Sequence, residues 1–234
     1  MNINQEYKKL VQHVLDHGKK QDCRNGSQLI IPHYSFTLDM SEAENHDLKL
    51  RKMHYKGVIG EFKTLVLGEQ LTNVSQFEEN GCNYWKDWAG PNGELNLDYY
   101  NQMHPQLEDV IEQIKENPDS RRHVVNLWDH FNVNNDTLSL PCCWHNLTFS
   151  VIKGEIHLTW TQRSVDTMVG LPSDIYLAYM FLLHVAIQTD NIVGTVMFSL
   201  SNVHIYSEHV EGANELLKRD ETDFNKPLKF ELKA

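Results

Sequence analysis

Two runs of alternating apolar residues on either side of a glycine turn limit the fold of this chain more than any other feature. Leu147, Phe149 and Val151 alternate with polar positions, and Ile156, Leu158 and Trp160 do so again after Lys153-Gly154. A period of two belongs to a strand with one buried face, and two such runs across a tight turn fold back as a hairpin. Cys143 stands 154 - 143 = 11 residues before the glycine and Arg163 stands 163 - 154 = 9 after it, so the hairpin brings both to one end. An anion held by Arg163, with Ser164 beside it, would then lie near the Cys143 sulfur. The plainer alternative is that Cys142 and Cys143 are small hydrophobes in a strand, as most free cysteines are.

The 234 residues, 41% hydrophobic and 23% charged, read as one soluble domain, 1–234, able to bury a core. A formal net charge of -11 argues against nucleic acid or a membrane surface as partner, since both demand a basic face. An anionic substrate would need a local arginine cluster. There is no apolar leader and no run approaches the length of a membrane-crossing helix, so the expected compartment is cytoplasmic. Cys23, Cys82, Cys142 and Cys143 lack zinc-type spacing, and a metal site built on Cys142, Cys143 and His145 lacks a fourth ligand, so no metal is expected.

Tyr7, Leu10, Val11, Val14 and Leu15 recur at helical spacing up to Gly18, and Val58, Ile59, Phe62, Leu65 and Val66 do so up to Gly68. Glu61 sits at the edge of the second stripe, where a carboxylate is ordinarily solvated. A third helix is expected over 105–115, with proline in its first turn, and a long apolar one through Ile187 that Ser173 or Asp174 would cap. Capping alone explains Asp174. A solvated loop, Arg24-Asn25-Gly26, explains Arg24, and an exposed rim explains Arg121 and Arg122. His204 and Tyr206, at the end of a strand over 193–201, read as structural polar groups, and Trp85, Trp88 and Tyr99 as core or surface aromatics.

Longer motifs add a second reading. The segment QRSVDTMVGLPSDIYLAY resembles QRSxDxxLGLPFNIxxY, and SNVHIYSEH resembles GDxHxYxNH, both signatures of the thymidylate synthase family. NPDSRR matches that family's DSRR, CRNG resembles its DRTG, and Glu61 in VIGEF and the tryptophans of YWKDWAGPNGEL fall where the family has equivalents. The resemblance runs through nearly the whole chain in the family's order. It implies an α/β (α+β) fold, a large mixed sheet flanked by helices, and a homodimer joined through the sheet face.

The resemblance also implies roles. Cys143 is the nucleophile, because 163 - 143 = 20 reproduces the family's ungapped interval to the arginine of QRS, whereas Cys142 would need an insertion. Nearby arginines would favour its thiolate. Glu61 organises water and relays protons. Arg24, Arg163 and Ser164 bind substrate, Arg121 and Arg122 reach across the dimer to the neighbour's phosphate, and His204 and Tyr206 hold the sugar. Trp85, Trp88 and Asp166 line the site for 5,10-methylenetetrahydrofolate. Trp144, Thr148, Ser201 and Asn202 depart from the family's histidine, glutamine, glycine and aspartate.

Asp174 stands where thymidylate synthases carry the asparagine that reads uracil. A carboxyl accepts from the cytosine amino group and, once a proton lies between it and the ring nitrogen, satisfies position 3 as well. The resemblance therefore narrows to aspartate-bearing, phage-type deoxycytidylate hydroxymethylases, with dCMP as substrate and catalytic Cys143, Glu61 and Asp174. The chain stops at LKFELKA, short of the tail that closes over folate in thymidylate synthases. Loss of that lid would admit water. Methylation by hydride transfer, or action on dUMP or CMP, is the alternative.

Overall fold

The computed structural model describes residues 2–24, 26–68, 70–134 and 137–228, so Asn25 of the expected loop and the tail beyond Leu228 lie outside the described residues. Helices α1 (Ile3–His17) and α2 (Tyr55–Phe62) are followed by the short α3 (Ser75–Glu79) and α4 (Asp98–Asn101), then α5 (Met103–Glu116), α6 (His130–Asn134), α7 (Gly170–Gln188) and α8 (Val210–Lys218). Strands are β1 (Lys19–Cys23), β2 (Gly26–Asp39), β3 (Val124–Asn126), β4 (Trp144–Ile152), β5 (Glu155–Gln162), β6 (Val165–Asp166) and β7 (Ile192–Tyr206). They form one mixed sheet in the order β1-β2-β7-β5-β4-β3, with β6 also against β7, as expected of a large sheet flanked by helices.

The expected hairpin is β4–β5, antiparallel with Leu147 opposite Trp160 and Phe149 opposite Leu158. Lys153 and Gly154 take φ of 54° and 81°, the left-handed pair that suits a two-residue turn. β5 then runs parallel to β7, and α7 is the crossover between them. Trp160, Phe181 and Phe198, each fully buried, join α7 to the strands beneath it.

Gly170-Leu171-Pro172 does not precede α7 but forms its first turn, so neither Ser173 nor Asp174 is an N-cap. Proline in a first turn sacrifices no intrahelical hydrogen bond, so it is no obstacle there. The capping explanation for Asp174 is thereby removed. α7 also corrects the expectation about apolar runs: by length and composition it would cross a bilayer, yet half of that window is buried inside the fold.

The sheet changes face along one row. Above it, Phe36 and Leu38 of β2, Phe198 and Leu200 of β7, and Trp160 and Gln162 of β5 point to the core. Below it the core residues are Ile31, Val203, Ile205 and Val165, an odd step further along each strand. Pro32 and Asn202 are skipped in the β2–β7 ladder, and Arg163 and Ser164 fall between β5 and β6. Asn202 takes φ 49°, a left-handed conformation that asparagine tolerates better than most residues. Because alternate residues face opposite sides, the switch turns His204 and Tyr206 to the side away from the core.

Candidate active site

Two cavities meet where the ladder is interrupted. The first, about 190 Å³, is walled by Glu61, Tyr84, Trp85, Trp88, Cys143 and Asp174, with Tyr99, Trp144, Gln162 and Asp166 among its other residues. The second, about 370 Å³, is lined by Arg24, Arg163, Gln28, Asn202, His204 and Tyr206. Ser164 lines both. We call them the inner and outer chambers. The structure thus gathers every expected site residue except Arg121 and Arg122, which are exposed before β3 and line neither chamber.

The hairpin end sets the thiol. The Arg163 amide donates to the Cys143 carbonyl at 2.8 Å, its Nε donates to the Cys142 carbonyl at 2.7 Å, and its guanidinium lies 5.2 Å from the centre of the Trp128 ring. Cys142 is 1% exposed and turns into the core, whereas Cys143 borders the inner chamber. Adjacent residues point oppositely, so the sheet presents one sulfur. The Tyr99 hydroxyl accepts from the Cys143 amide at 2.5 Å.

The expectation that arginine activates the thiol holds only in part. Burial pushes the Cys143 thiol up, and the Asp174 carboxyl adds to this; Arg163 and Tyr99 pull it down without reversing the sign. The balance leaves the Cys143 thiol above its ordinary value. A depressed carboxyl charge or a proton acceptor is needed to release it.

Glu61 is buried rather than solvated at the edge of its helix. The Tyr84 hydroxyl donates to Oε2 and the Trp85 indole donates to Oε1 at 3.0 Å. Glycines make this contact possible: a Cβ at Gly60 would strike the backbone at Asn80, and one at Gly57 would crowd His54 and meet the Tyr84 ring at 3.3 Å. The turn before Tyr84 can therefore lie against α2. Burial raises the Glu61 carboxyl to about 7 against the pull of those two donors.

Asp174, one turn into α7, accepts from Gln162 Nε2 at 2.7 Å through Oδ2. Gln162 is itself fixed, because its Oε1 accepts from the Trp160 indole at 3.2 Å. Burial raises the Asp174 carboxyl to about 7; the Gln162 bond opposes this, and Glu61 and Asp166 reinforce it. Its remaining exposure is toward the chamber. Asp166 Oδ1 accepts from the amides of Met168 and Val169 at 2.9 and 3.1 Å, which places its carboxyl beside the start of α7.

In the outer chamber the Asn202 amide donates to the Arg163 carbonyl at 2.8 Å, and His204 Nδ1 pairs with the Asn202 carbonyl at 2.8 Å. The left-handed turn thus braces both the arginine and the histidine. Among the described residues no group of three or more His, Cys, Asp or Glu is arranged to hold a metal.

Sequence reasoning missed Tyr84, Tyr99 and Gln162. Gln162 had a signal, since it opens the QRS motif and continues the buried phase of Ile156, Leu158 and Trp160. Tyr84 had none, because it meets Glu61 across a separation of 23 residues that includes α3, and no single strand or helix period spans that distance.

A mixed sheet thus sets a thiol and carboxyls in one chamber beside two arginines in the next, groups suited to nucleophilic and acid–base chemistry next to an anion. Residues 5–233 match the family described as Thymidylate synthase, and the chain belongs to that family. The family's chemistry is folate-dependent transfer of one carbon to C5 of a pyrimidine nucleotide, with methylenetetrahydrofolate as donor.

Proposed function

We propose that this chain is a deoxycytidylate hydroxymethylase, converting dCMP to 5-hydroxymethyl-dCMP, and that it acts as a homodimer of single-domain subunits spanning 1–234. The observation that carries the reading is Asp174: a carboxyl inside a helix, not at its cap, facing the chamber of Cys143 and raised to about 7. A carboxyl that carries a proton near neutrality donates to cytosine N3 while its other oxygen accepts from the exocyclic amine. Uracil presents an N–H at position 3 and a carbonyl at position 4, which reverses both demands.

In this reading Arg24, Arg163 and Ser164 hold the phosphate, and His204 and Tyr206 hold the sugar. The ring passes Ser164 into the inner chamber. Cys143 gives its thiol proton to water and its sulfur adds to C6, while Asp174 donates to N3, where the ring's electron pair accumulates; C5 then loses its proton to water once the one-carbon unit is bound to it. Glu61 takes a proton from water when a hydroxyl is added to the carbon on C5, and expulsion of the thiolate restores the C5–C6 double bond.

The residues present suit a folate. Trp88, 37% exposed, and Trp85 offer aromatic surface to a flat heterocycle, and the Asp166 carboxylate on the same wall accepts from ring N–H groups. When bound, the folate supplies the one-carbon unit.

The homodimer reading has two supports. Arg121 and Arg122 are exposed and line neither chamber of their own chain. The sheet face away from the helices carries Thr37, Met197, Thr159 and Thr148 in one cross-strand row, beside Ser35, Ser199, Thr161 and Asn146 in the next.

The mass of the product formed from dCMP and methylenetetrahydrofolate tests the proposal. A gain of a hydroxymethyl group is expected. A methyl product would make the chain a methylase, and turnover of dUMP in preference to dCMP would remove the cytosine reading.

A further inference from the structure

Tyr84 has no part in the reaction as described so far, yet its geometry is unusual. The residue is 42% exposed, but its hydroxyl turns away from solvent to donate to a carboxyl that is almost completely buried. A phenol has one O–H; the Gly57 carbonyl stands 3.5 Å from that oxygen, too far to compete with the Glu61 contact, and the Cys82 thiol lies beside it. Tyr84 and Trp85, consecutive in the chain, supply one donor to each oxygen of Glu61. The carboxylate is thereby fixed in plane and orientation, on the wall it shares with Cys143 and Asp174.

We propose that Tyr84 is a positioning residue for the transfer: its hydroxyl holds Glu61 ionised and oriented, so that Glu61 can take the proton of the water that adds to the exocyclic methylene on C5. The inference rests on the hydroxymethyl reading above. In that step the water oxygen bonds to the methylene carbon, the methylene π pair moves into the ring, and the water proton passes to Glu61. The ring pair then forms the C5–C6 double bond as the C6–S bond breaks and its electrons leave with the Cys143 sulfur. No oxidant or reductant is consumed.

The electrostatics agree in direction. Burial raises Glu61, Tyr84 is the larger of the two hydrogen bonds lowering it, and Trp85 is the other. The further groups coupled to it are the Cys82 thiol, in the same turn as Tyr84, and the Asp174 carboxyl on α7. Neither supplies positive charge, so the two donors are what oppose burial.

The test is a ¹³C NMR titration of glutamate carboxyls in the ligand-free enzyme, with Glu61→Gln assigning the signal, for wild type and Tyr84→Phe. The Glu61 inflection should move upward by roughly one pH unit on loss of a charge-assisted hydrogen bond. The acid limb of kcat should move with it, KM for the nucleotide should stay within about threefold, and turnover should recover toward wild type at about pH 9. An unmoved inflection, or a kcat lowered equally at every pH, would overturn the proposal. Wild-type product mass is read separately: a methyl product beside a displaced titration overturns the water step and with it the hydroxymethyl reading, whereas a hydroxymethyl product beside an unmoved titration overturns only the role of Tyr84.

Discussion

The inner and outer chambers differ in what a single chain supplies. The inner one draws its walls from a single chain: α2, the segment around Tyr84, the hairpin end and α7 each contribute a side chain, and burial raises Glu61, Asp174 and Cys143 above their ordinary values. The outer one is open, its Arg24 is exposed, and two of the arginines expected to serve it stand elsewhere on the molecule. Discrimination between bases belongs where water is excluded, because a mismatched group there is left unpaired. Attraction of a dianion needs only converging guanidinium groups, which a second subunit can bring.

The sharpest break of the inner chamber is its sulfur. Cys143→Ser should lower turnover by about four orders of magnitude or more, with nucleotide affinity changed little, because the outer chamber is untouched. Cys142→Ser should retain activity. Equal losses in both variants, measured as kcat, would contradict the assignment of Cys143.

Next in size is the base preference. Asp174→Asn should move the ratio of kcat/KM for dCMP over dUMP by roughly 10³ toward dUMP, since the amide restores a donor for position 4 and an acceptor for position 3. Competition assays with both nucleotides measure this directly. An unchanged ratio would mean that the carboxyl does not contact the base.

The outer chamber is tested by subunit exchange. Arg122→Ala and Cys143→Ser, each poorly active alone, should recover about a quarter of wild-type sites when mixed in equal amounts. Half of the dimers are then mixed and one of their two sites is intact, provided that Arg122 acts across the interface. No recovery under proven exchange would show that each site is built from one chain.

The smallest effect concerns stability. A carboxyl whose folded pKa is raised contributes most below its unfolded value and loses that contribution as pH rises through the folded value. For Glu61 that window runs from the ordinary 4.5 to about 7. Glu61→Gln should therefore gain on wild type between pH 5 and pH 8 by roughly 2 kcal/mol, or about 4–8 °C in Tm for a chain of this size. Thermal melts at the two pH values check the sign.

Much of this architecture was legible because it follows local periods. The β4–β5 hairpin announced itself through alternation on both sides of Gly154, and α1 and α2 through their apolar stripes, although α2 gives way after Phe62 to a wider π-helical turn, Lys63–Leu67, before Gly68. The start of α7 lies three or four residues before the expected caps, Ser173 or Asp174, because glycine and proline both fit a first turn. The pull of Arg163 on the thiol was legible from spacing, whereas the opposing effect of burial at Cys143 was not. Tyr84 was invisible for a related reason: its partner is set by the close approach of two backbones at Gly60, which no periodicity records.

The row at which three strands exchange faces also behaves as a phase marker. Each strand carries a two-beat pattern, and β2, β5–β6 and β7 all slip that beat at one level, so the pattern below stays in step across the sheet. A single inserted or deleted residue near Asn202 would put β7 alone out of step. Val203 and Ile205 would then face outward, at a cost of about 1.5–3 kcal/mol each, while His204 and Tyr206 would be driven into an apolar layer. The stretch from Leu200 to Tyr206 can therefore exchange side chains but not length, and Asn202 keeps time for its neighbours as much as it binds them.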